Sequence, residues 1–364
     1  MKRAQVNSER LLALLRRLLL IAGPSGRERQ VADAVAEKAE SLGFRVYEDG
    51  AGRALGTECG NLICALAGDS GGAPLILNAH LDTVDTPRAP ALKEEQGVLR
   101  SDGSTILGAD DRAGAAALLE AAETAIERGI PRGDLYLVFT VCEEQGLKGA
   151  LHLEAARLPR APWYSFDAGK RAGVCVYSAA GRASVDVTVT GPEAICVLSR
   201  AIASLPWGRL ENGDTANTGL IRGSSREERA CLQAALRSRS AVRMAGLKER
   251  MAAAFYAAAK EAGVRAEVAM RDEYPPLETD PAAPVCRLAL EAAEMAGLEP
   301  ALDTSGGGYD ANRLQAMGFP AVALGAGYRN AHSPEEYIEA AEVIGAAGMA
   351  VSLIELFGKR RGQC

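Results

Sequence analysis

The chain is short of histidine, and any metal centre it builds must lean on carboxylates. Only His80, His152 and His332 occur among 364 residues. Aromatic residues make up 5 %, which argues against the stacking platforms that bind single-stranded nucleic acid. Positive charge is not in excess: the formal net charge of −6 removes electrostatic support for a nucleic-acid partner. The eight cysteines, at 59, 64, 142, 175, 196, 231, 286 and 364, contain no C-x-x-C pair. A zinc knuckle is therefore not expected, and they read as reduced, mostly buried thiols of a cytoplasmic protein. Long apolar runs are also missing. Leu18-Leu19-Leu20-Ile21-Ala22, behind Met1-Lys2-Arg3, is too short for a signal peptide or a span and is preceded by Glu9, Arg10, Arg16 and Arg17. It reads as an amphipathic helix ended by Gly23-Pro24, and no other stretch is expected to cross a bilayer.

What is present is globular composition, 48 % hydrophobic and 24 % charged, over a length that suits two domains. Helical periodicity covers 7–22 and 26–43, and 112–129 is a run of alanine, leucine and glutamate typical of helix. Strands are expected at 44–47, 61–66, 74–82, 135–141, 163–167 and 320–325. Several are near-continuous apolar runs, as in a sheet covered on both faces. Strands alternating with helical spacers indicate an α/β layer fold. Between 179 and 276 the pattern changes to strand 182–190, helix 192–205, strands 215–222 and 229–238, helix 241–262 and strand 264–270. That order describes a small α+β module of four strands and two helices. The expectation is a discontinuous main domain, 1–178 and 277–364, with 179–276 inserted. The closing Lys359-Arg360-Arg361 is taken as solvated.

Five patches carry the candidate chemistry, four of them at strand ends, where α/β sheets gather ligands. In Asn78-Ala79-His80-Leu81-Asp82-Thr83, residues two apart on a strand share a face, so His80 and Asp82 can point together. A metal-bound imidazole usually gives its second N–H to a carboxylate. Gly108-Ala109-Asp110-Asp111 precedes the 112–129 helix. An aspartate there can be a simple cap, or a carboxylate with both oxygens free to bridge two cations. Glu143-Glu144 follows a buried strand, where neighbours face opposite ways unless the strand has ended. Phe166-Asp167 is an apolar strand closed by one acid, and a turn aspartate before Gly169 is the plain alternative. In Ala331-His332-Ser333-Pro334-Glu335-Glu336, Ser333, Pro334 and Glu336 read as a capping box with proline opening a helix. That account leaves His332 unexplained. His152 has no acidic motif around it and reads as a surface residue. The run Ser305-Gly306-Gly307-Gly308 offers backbone that could approach a ligand. Gly306, Gly307, Gly308 and Asn217 are taken as substrate contacts.

Together and in order, these motifs resemble the dinuclear zinc peptidase and deacylase family of peptidase T, carboxypeptidase G-like enzymes and succinyl-diaminopimelate desuccinylases. The peptidase T-like branch looks nearest. The likeness rests on His80-Leu81-Asp82-Thr83-Val84, Leu107-Gly108-Ala109-Asp110-Asp111-Arg112-Ala113-Gly114, Glu143-Glu144-Gln145-Gly146, Asp167-Ala168-Gly169, Gly307-Gly308-Tyr309-Asp310-Ala311-Asn312 and His332-Ser333-Pro334-Glu335-Glu336. It extends to Pro24-Ser25-Gly26 and Gly60-Asn61-Leu62. The resemblance implies a zinc-peptidase-like mixed sheet flanked by helices, with 179–276 as lid and dimerisation domain. It implies two divalent ions, zinc first and cobalt or manganese as alternatives. His80 and Asp167 would hold one, Glu144 and His332 the other, and Asp110 would bridge them ahead of a cis peptide bond to Asp111. Glu143 would be general base and Asp82 would orient His80. The activity implied is hydrolysis of small peptides, tripeptide aminopeptidase-like, in a cytoplasmic homodimer with no nucleic-acid or membrane partner. The departures lie in the insertion. Val189-Thr190-Gly191 runs straight into Pro192-Glu193 where relatives carry a histidine loop, and Ser224-Ser225-Arg226-Glu227-Glu228 replaces an Asn-x-Val-Pro segment. Tyr309 replaces a common serine. Three other readings stay open: an N-acyl amino acid deacylase, a non-catalytic metal-holding homologue with a degenerate lid, and a structural α/β protein with no metal.

Overall fold

The computed structural model describes residues 6–86 and 88–360. Met1-Lys2-Arg3, Arg361 and Cys364 lie outside the described residues. The chain forms two compact units. The larger comprises Met1–Tyr177, Thr279–Asp303 and Tyr309–Cys364, and the smaller comprises Ser178–Glu278 with Thr304–Gly308.

In the larger unit the sheet runs in the spatial order Arg45–Glu48, Leu62–Leu66, Leu135–Thr140, Leu75–His80, Trp163–Ala168, Ala321–Gly325, Val174–Ala179. The four strands from Leu135–Thr140 to Ala321–Gly325 are mutually parallel. Those outside them pair antiparallel, so the sheet is mixed, as expected. Every residue of Leu75–His80, Trp163–Ala168 and Ala321–Gly325 is buried, which explains their unbroken apolar character.

Helix Ala109–Glu127 is buried almost all round, and its small residues allow close contact with the sheet. A Cβ on Gly114 would stand 2.2 Å from the carbonyl oxygen of Phe166, so only glycine fits there. Ser8–Leu19 packs on the same helix, and Arg10 pairs with Glu120 at 2.7 Å. Ala340–Lys359 corrects one expectation. It is long and apolar enough to cross a membrane, although no such stretch was expected after the first helix. Its apolar character is accounted for by the core, where it packs against Ala109–Glu127.

The smaller unit is an antiparallel sheet in the order Gly208–Arg209, Thr215–Ser224, Arg229–Ser238, Gly181–Thr190, Arg265–Tyr274. Four strands were expected; the two-residue strand Gly208–Arg209 is a fifth, too short to leave a periodic signal. Strict alternation buries Ala183, Val185, Val187 and Val189. They form one core with Ala194–Ala203 and Ala241–Glu261 through Val197, Leu198, Leu247, Met251 and Phe255.

Candidate metal centre

Leu75–His80 lies between Leu135–Thr140 and Trp163–Ala168, parallel to both, with His80 in register with Thr140. The carboxyl ends of three adjacent strands therefore open at one place. His80 ends the first, Glu143-Glu144 follow the second, and Asp167 closes the third.

The His80 ring is 1 % exposed. Its Nε2 lies 3.0 Å from Asp110 Oδ1 and 3.6 Å from Asp167 Oδ1. On the far side Nδ1 faces the Asp82 carbonyl oxygen at 3.0 Å and Asp82 Oδ1 at 3.4 Å. The backbone oxygen, not the carboxylate, is thus the nearer partner. The second oxygen of Asp110 lies 3.2 Å from His332 Nε2, and that nitrogen is 2.7 Å from Glu144 Oε1. Asp110 therefore presents one oxygen to each imidazole. The ligand atoms of His80, Asp110 and Asp167 lie within 4.8 Å of one another, and so do those of Asp110, Glu144 and His332. His80, Glu143 and Glu144 form a third such group.

Backbone geometry makes this possible. Gly108, at φ +79°, starts Ala109–Glu127, and Asp110 and Asp111 are non-helical within its first turn. The peptide between them is cis, as the resemblance implied. Glu143 and Glu144 need not face opposite ways, because the strand ends at Thr140 and Cys142 turns into the left-handed region at φ +50°. Asp82 secures that turn. Its Oδ1 accepts the Glu143 N–H at 2.9 Å, and its Oδ2 accepts the Glu144 N–H at 3.2 Å and the Ser25 hydroxyl at 2.6 Å.

The electrostatics favour cations. Burial opposes charge on His80, but Asp167, Asp110 and Asp82 outweigh it and raise the imidazole well above its usual value. Hydrogen bonds to Asp110 and then Glu144 push His332 up to about 10. Burial would raise Asp110, yet its bonds to His332 and His80 hold it below the usual carboxylate range. Burial drives Asp167 up to about 7 against the pull of His80. Glu143 is raised well above its usual value by burial and by Asp167, and Glu144 by burial and by Asp110. A buried group of carboxylates and two imidazoles strained in this way is what hard divalent cations relieve, and the oxygen-and-nitrogen donor set suits them. The residues fit two such ions.

Three supporting residues were missed or misread. Glu336 was expected in a capping box, but no helix begins there: 331–335 are turn and bend, leading into the strand Tyr337–Glu339. Instead its buried carboxylate accepts backbone N–H groups from Leu107, Gly108 and Asp110. Tyr328 donates its hydroxyl to the Asp167 carbonyl and lies 3.1 Å from Asp167 Oδ1. Asp310 is buried and accepts from Thr140 Oγ and from Asn78 Nδ2 at 3.3 Å. Only the apolar runs beside Tyr328 and the Gly-Gly-Tyr-Asp-Ala-Asn motif signalled the last two. Gly306, Gly307 and Gly308 fall in the smaller unit, as does Asn217, which is exposed on Thr215–Ser224. His152 is exposed at the end of Lys148–Leu151.

Residues 76–356 match the model of peptidase family M20/M25/M40. The uncharacterised YqjE of Bacillus subtilis (strain 168) is 34 % identical over 96 % of this chain and 99 % of its own length. The aminopeptidase PepT of Bacillus cereus ATCC 10987 superposes with a TM-score of 0.92 at 32 % identity, covering 97 % of this chain and 100 % of that one. A tripeptidase of Staphylococcus aureus superposes with a TM-score of 0.94 at 30 % identity, covering 98 % and 100 %.

Proposed function

The chain belongs to peptidase family M20/M25/M40, and on that premise we propose that it is a two-metal aminopeptidase acting on small peptides, tripeptides first. The observation that carries this reading is Asp110, whose two oxygens face His80 at 3.0 Å and His332 at 3.2 Å. A carboxylate so placed could serve two cations at once, and each side has a further acid, Asp167 or Glu144, that would complete it. Zinc suits the mixed nitrogen and oxygen donors best, with cobalt or manganese as substitutes.

His80 and Asp167 would hold one ion, Glu144 and His332 the other, and Asp110 both. When bound, the ions supply Lewis acidity toward the scissile carbonyl and lower the pKa of the attacking water. The remaining work belongs to side chains. Glu143, 7 % exposed, takes the proton as the water oxygen bonds to the carbonyl carbon. It then returns that proton to the amide nitrogen as the C–N bond breaks. Asp82 keeps Glu143 and Glu144 in place through their backbone N–H groups. Gly306, Gly307, Gly308 and Asn217 remain the candidate substrate contacts.

The segment 179–276 is assigned as lid and dimerisation domain of a cytoplasmic homodimer. Its support is an edge: among the described residues Gly208–Arg209 pairs with Thr215 and Ala216 and ends the sheet order, and Leu220 and Ile221 further along are exposed. Light scattering at micromolar concentration tests this; a monomer counts against it.

The test of the activity is to strip the protein with chelator, restore Zn²⁺ or Co²⁺, and assay di- and tripeptides beside N-acyl amino acids. Metal-dependent release of amino-terminal residues is expected. Turnover confined to N-acyl amino acids would make the chain a deacylase. Bound metal without any turnover would make it a binding protein, and activity indifferent to chelator would overturn the two-metal reading.

A further inference from the structure

His332 and Glu336 stand four residues apart in one tight turn. The turn is closed by Ser333 Oγ donating to the Asn330 carbonyl at 2.8 Å and by the Glu336 N–H donating to Ser333 O at 3.1 Å. Asn330 and His332 both adopt positive φ, +54° and +66°, so the chain reverses sharply. It leaves this turn as the strand Tyr337–Glu339, which pairs with Val98–Arg100. The two side chains therefore diverge. His332 is half exposed and Glu336 is buried.

The Glu336 carboxylate is directed at the opening turn of Ala109–Glu127. The first N–H groups of a helix have no partner within it, and here the irregular backbone at Asp110 and Asp111 leaves them still less regular. Glu336 Oε2 accepts the N–H groups of Leu107 at 2.9 Å and Gly108 at 2.7 Å, and Oε1 accepts that of Asp110 at 3.0 Å. Asp110 and Glu336 are 226 positions apart in sequence. The two loops are thus joined twice, once through Glu336 to the backbone of Asp110 and once through His332 Nε2 to the carboxylate of Asp110.

We propose that Glu336 is a positioning residue that fixes the bridging carboxylate of Asp110 against His332, and so sets how tightly the Asp110, Glu144 and His332 group takes its cation. The inference rests on the two-metal reading above. Its own support is geometric: a carboxylate spanning three backbone donors ties the 107–110 backbone to the turn that carries His332, and groups that hold a ligand from behind commonly change metal affinity by about 10–100-fold.

The variants are Glu336→Gln and Glu336→Asp, with Glu335→Gln as control. Glutamine keeps the shape but replaces one acceptor oxygen with a donor facing an N–H, so at least one of the three bonds is lost. Aspartate keeps the charge but retracts it by one methylene. Glu335 is exposed in the same turn, so its variant removes equal charge and no backbone bond. Zn²⁺ binding to chelator-stripped protein is followed by calorimetry and elemental analysis, Co²⁺ by its visible spectrum, and peptide turnover gives kcat and KM.

In Glu336→Gln one of two cation equivalents is expected to weaken by about 10–100-fold while the other holds, kcat to fall, and KM to stay within about threefold. Glu336→Asp should weaken the same equivalent, and Glu335→Gln should match wild type. Wild-type isotherms in Glu336→Gln, or equal weakening of both equivalents alongside a lowered melting point of the metal-free protein, would overturn the proposal. If Glu336→Gln does not fold, Glu336→Asp decides by the same isotherms. Wild-type protein that binds no metal would instead refute the underlying functional reading.

Discussion

Replacing Asp82 by asparagine separates two duties that this carboxylate performs. The side chain is fully buried and accepts three hydrogen bonds, from Ser25, Glu143 and Glu144. An amide retains one oxygen. With that oxygen on the Glu143 side, the NH2 group meets the Glu144 N–H donor to donor at 3.2 Å, while the Ser25 hydroxyl can turn and accept. One hydrogen bond to a charged acceptor is lost, about 1.5–3 kcal/mol. At about 2–4 °C per kcal/mol for a domain of this size, the melting point should fall by roughly 3–12 °C. The pH dependence has a fixed sign. Burial would raise Asp82, but His80, Ser25 and the Glu143 N–H hold it below its ordinary 3.8. The stability it contributes is therefore present above 3.8 and lost as pH falls through the depressed folded value. The gap in melting point between wild type and variant should close on acidification below 3.8.

Turnover reports the second duty. If the Asp82 carboxylate alone fixed the His80 tautomer, its loss would resemble the wrong-tautomer case of serine proteases, about 10⁴ in kcat. Here the Asp82 carbonyl oxygen is nearer to Nδ1 than the carboxylate, 3.0 against 3.4 Å, and the variant keeps it. The expected loss is about 10–100-fold, measured by amine release at saturating metal and well below the variant's melting point. A loss near 10⁴ with full metal content would show that the carbonyl does not hold the ring. No loss at all would show that the Glu143-Glu144 turn does not depend on Asp82.

The other expectations are simpler. Glu143→Gln should bind metal as wild type does and lose about 10²–10⁴ in kcat; retained turnover excludes Glu143 as the base. Metal binding at neutral pH should release a proton from His332, whose imidazole is held up to about 10. Calorimetry in buffers of different ionisation enthalpy measures that proton. By the same shift, the ion pairs of His332 in metal-free protein contribute fully below its ordinary 6.5, and their contribution fades as pH rises through about 10. A metal affinity independent of pH between these values would contradict this. Iodoacetamide at pH 8, mapped by mass spectrometry, should modify exposed Cys196 and spare Cys59. Burial pushes the Cys59 thiol up to about 12, leaving a thiolate fraction of about 10⁻⁴. Fast labelling of Cys59 would mean that its surroundings open in solution.

The strand ends were legible because a buried strand closed by an acid is an abrupt break in hydropathy, as at Phe166-Asp167 and at Val141-Cys142-Glu143. Direction was not legible. Strand alternation sets Glu143 and Glu144 on opposite faces, and only the left-handed turn at Cys142, a residue type that gives no warning of it, frees them. Glu336 misled for the opposite reason. Ser-Pro-Glu-Glu satisfies the local grammar of a helix start, while the true partners of its carboxylate lie 226 to 229 residues away. Ala340–Lys359 escaped notice as a long apolar helix because Glu342, Glu355 and Lys359 break its run, although the interior of the sequence is apolar enough to be buried.

Convergence of the site follows from topology more than from any motif. Parallel pairing of Leu75–His80 with both neighbours puts three carboxyl ends side by side, and the helical crossovers that join such strands keep that direction. The acids at those ends must then share a space too small for their charges. Asp167 and Glu143 are both raised by burial, and each is raised further by a neighbouring acid. Carboxylates forced together in this way are relieved at neutral pH by bound protons, as the raised Asp167 and Glu143 show, or by positive charge among them. Two imidazoles supply part of it, which is why so few histidines suffice. On the two-metal reading proposed above, bound cations supply the rest, so the metal-free protein should be less stable than the loaded one by RT ln(1 + [M]/Kd) per independent site. A melting point that does not rise when Zn²⁺ is added to stripped protein would break the link between this topology and metal binding.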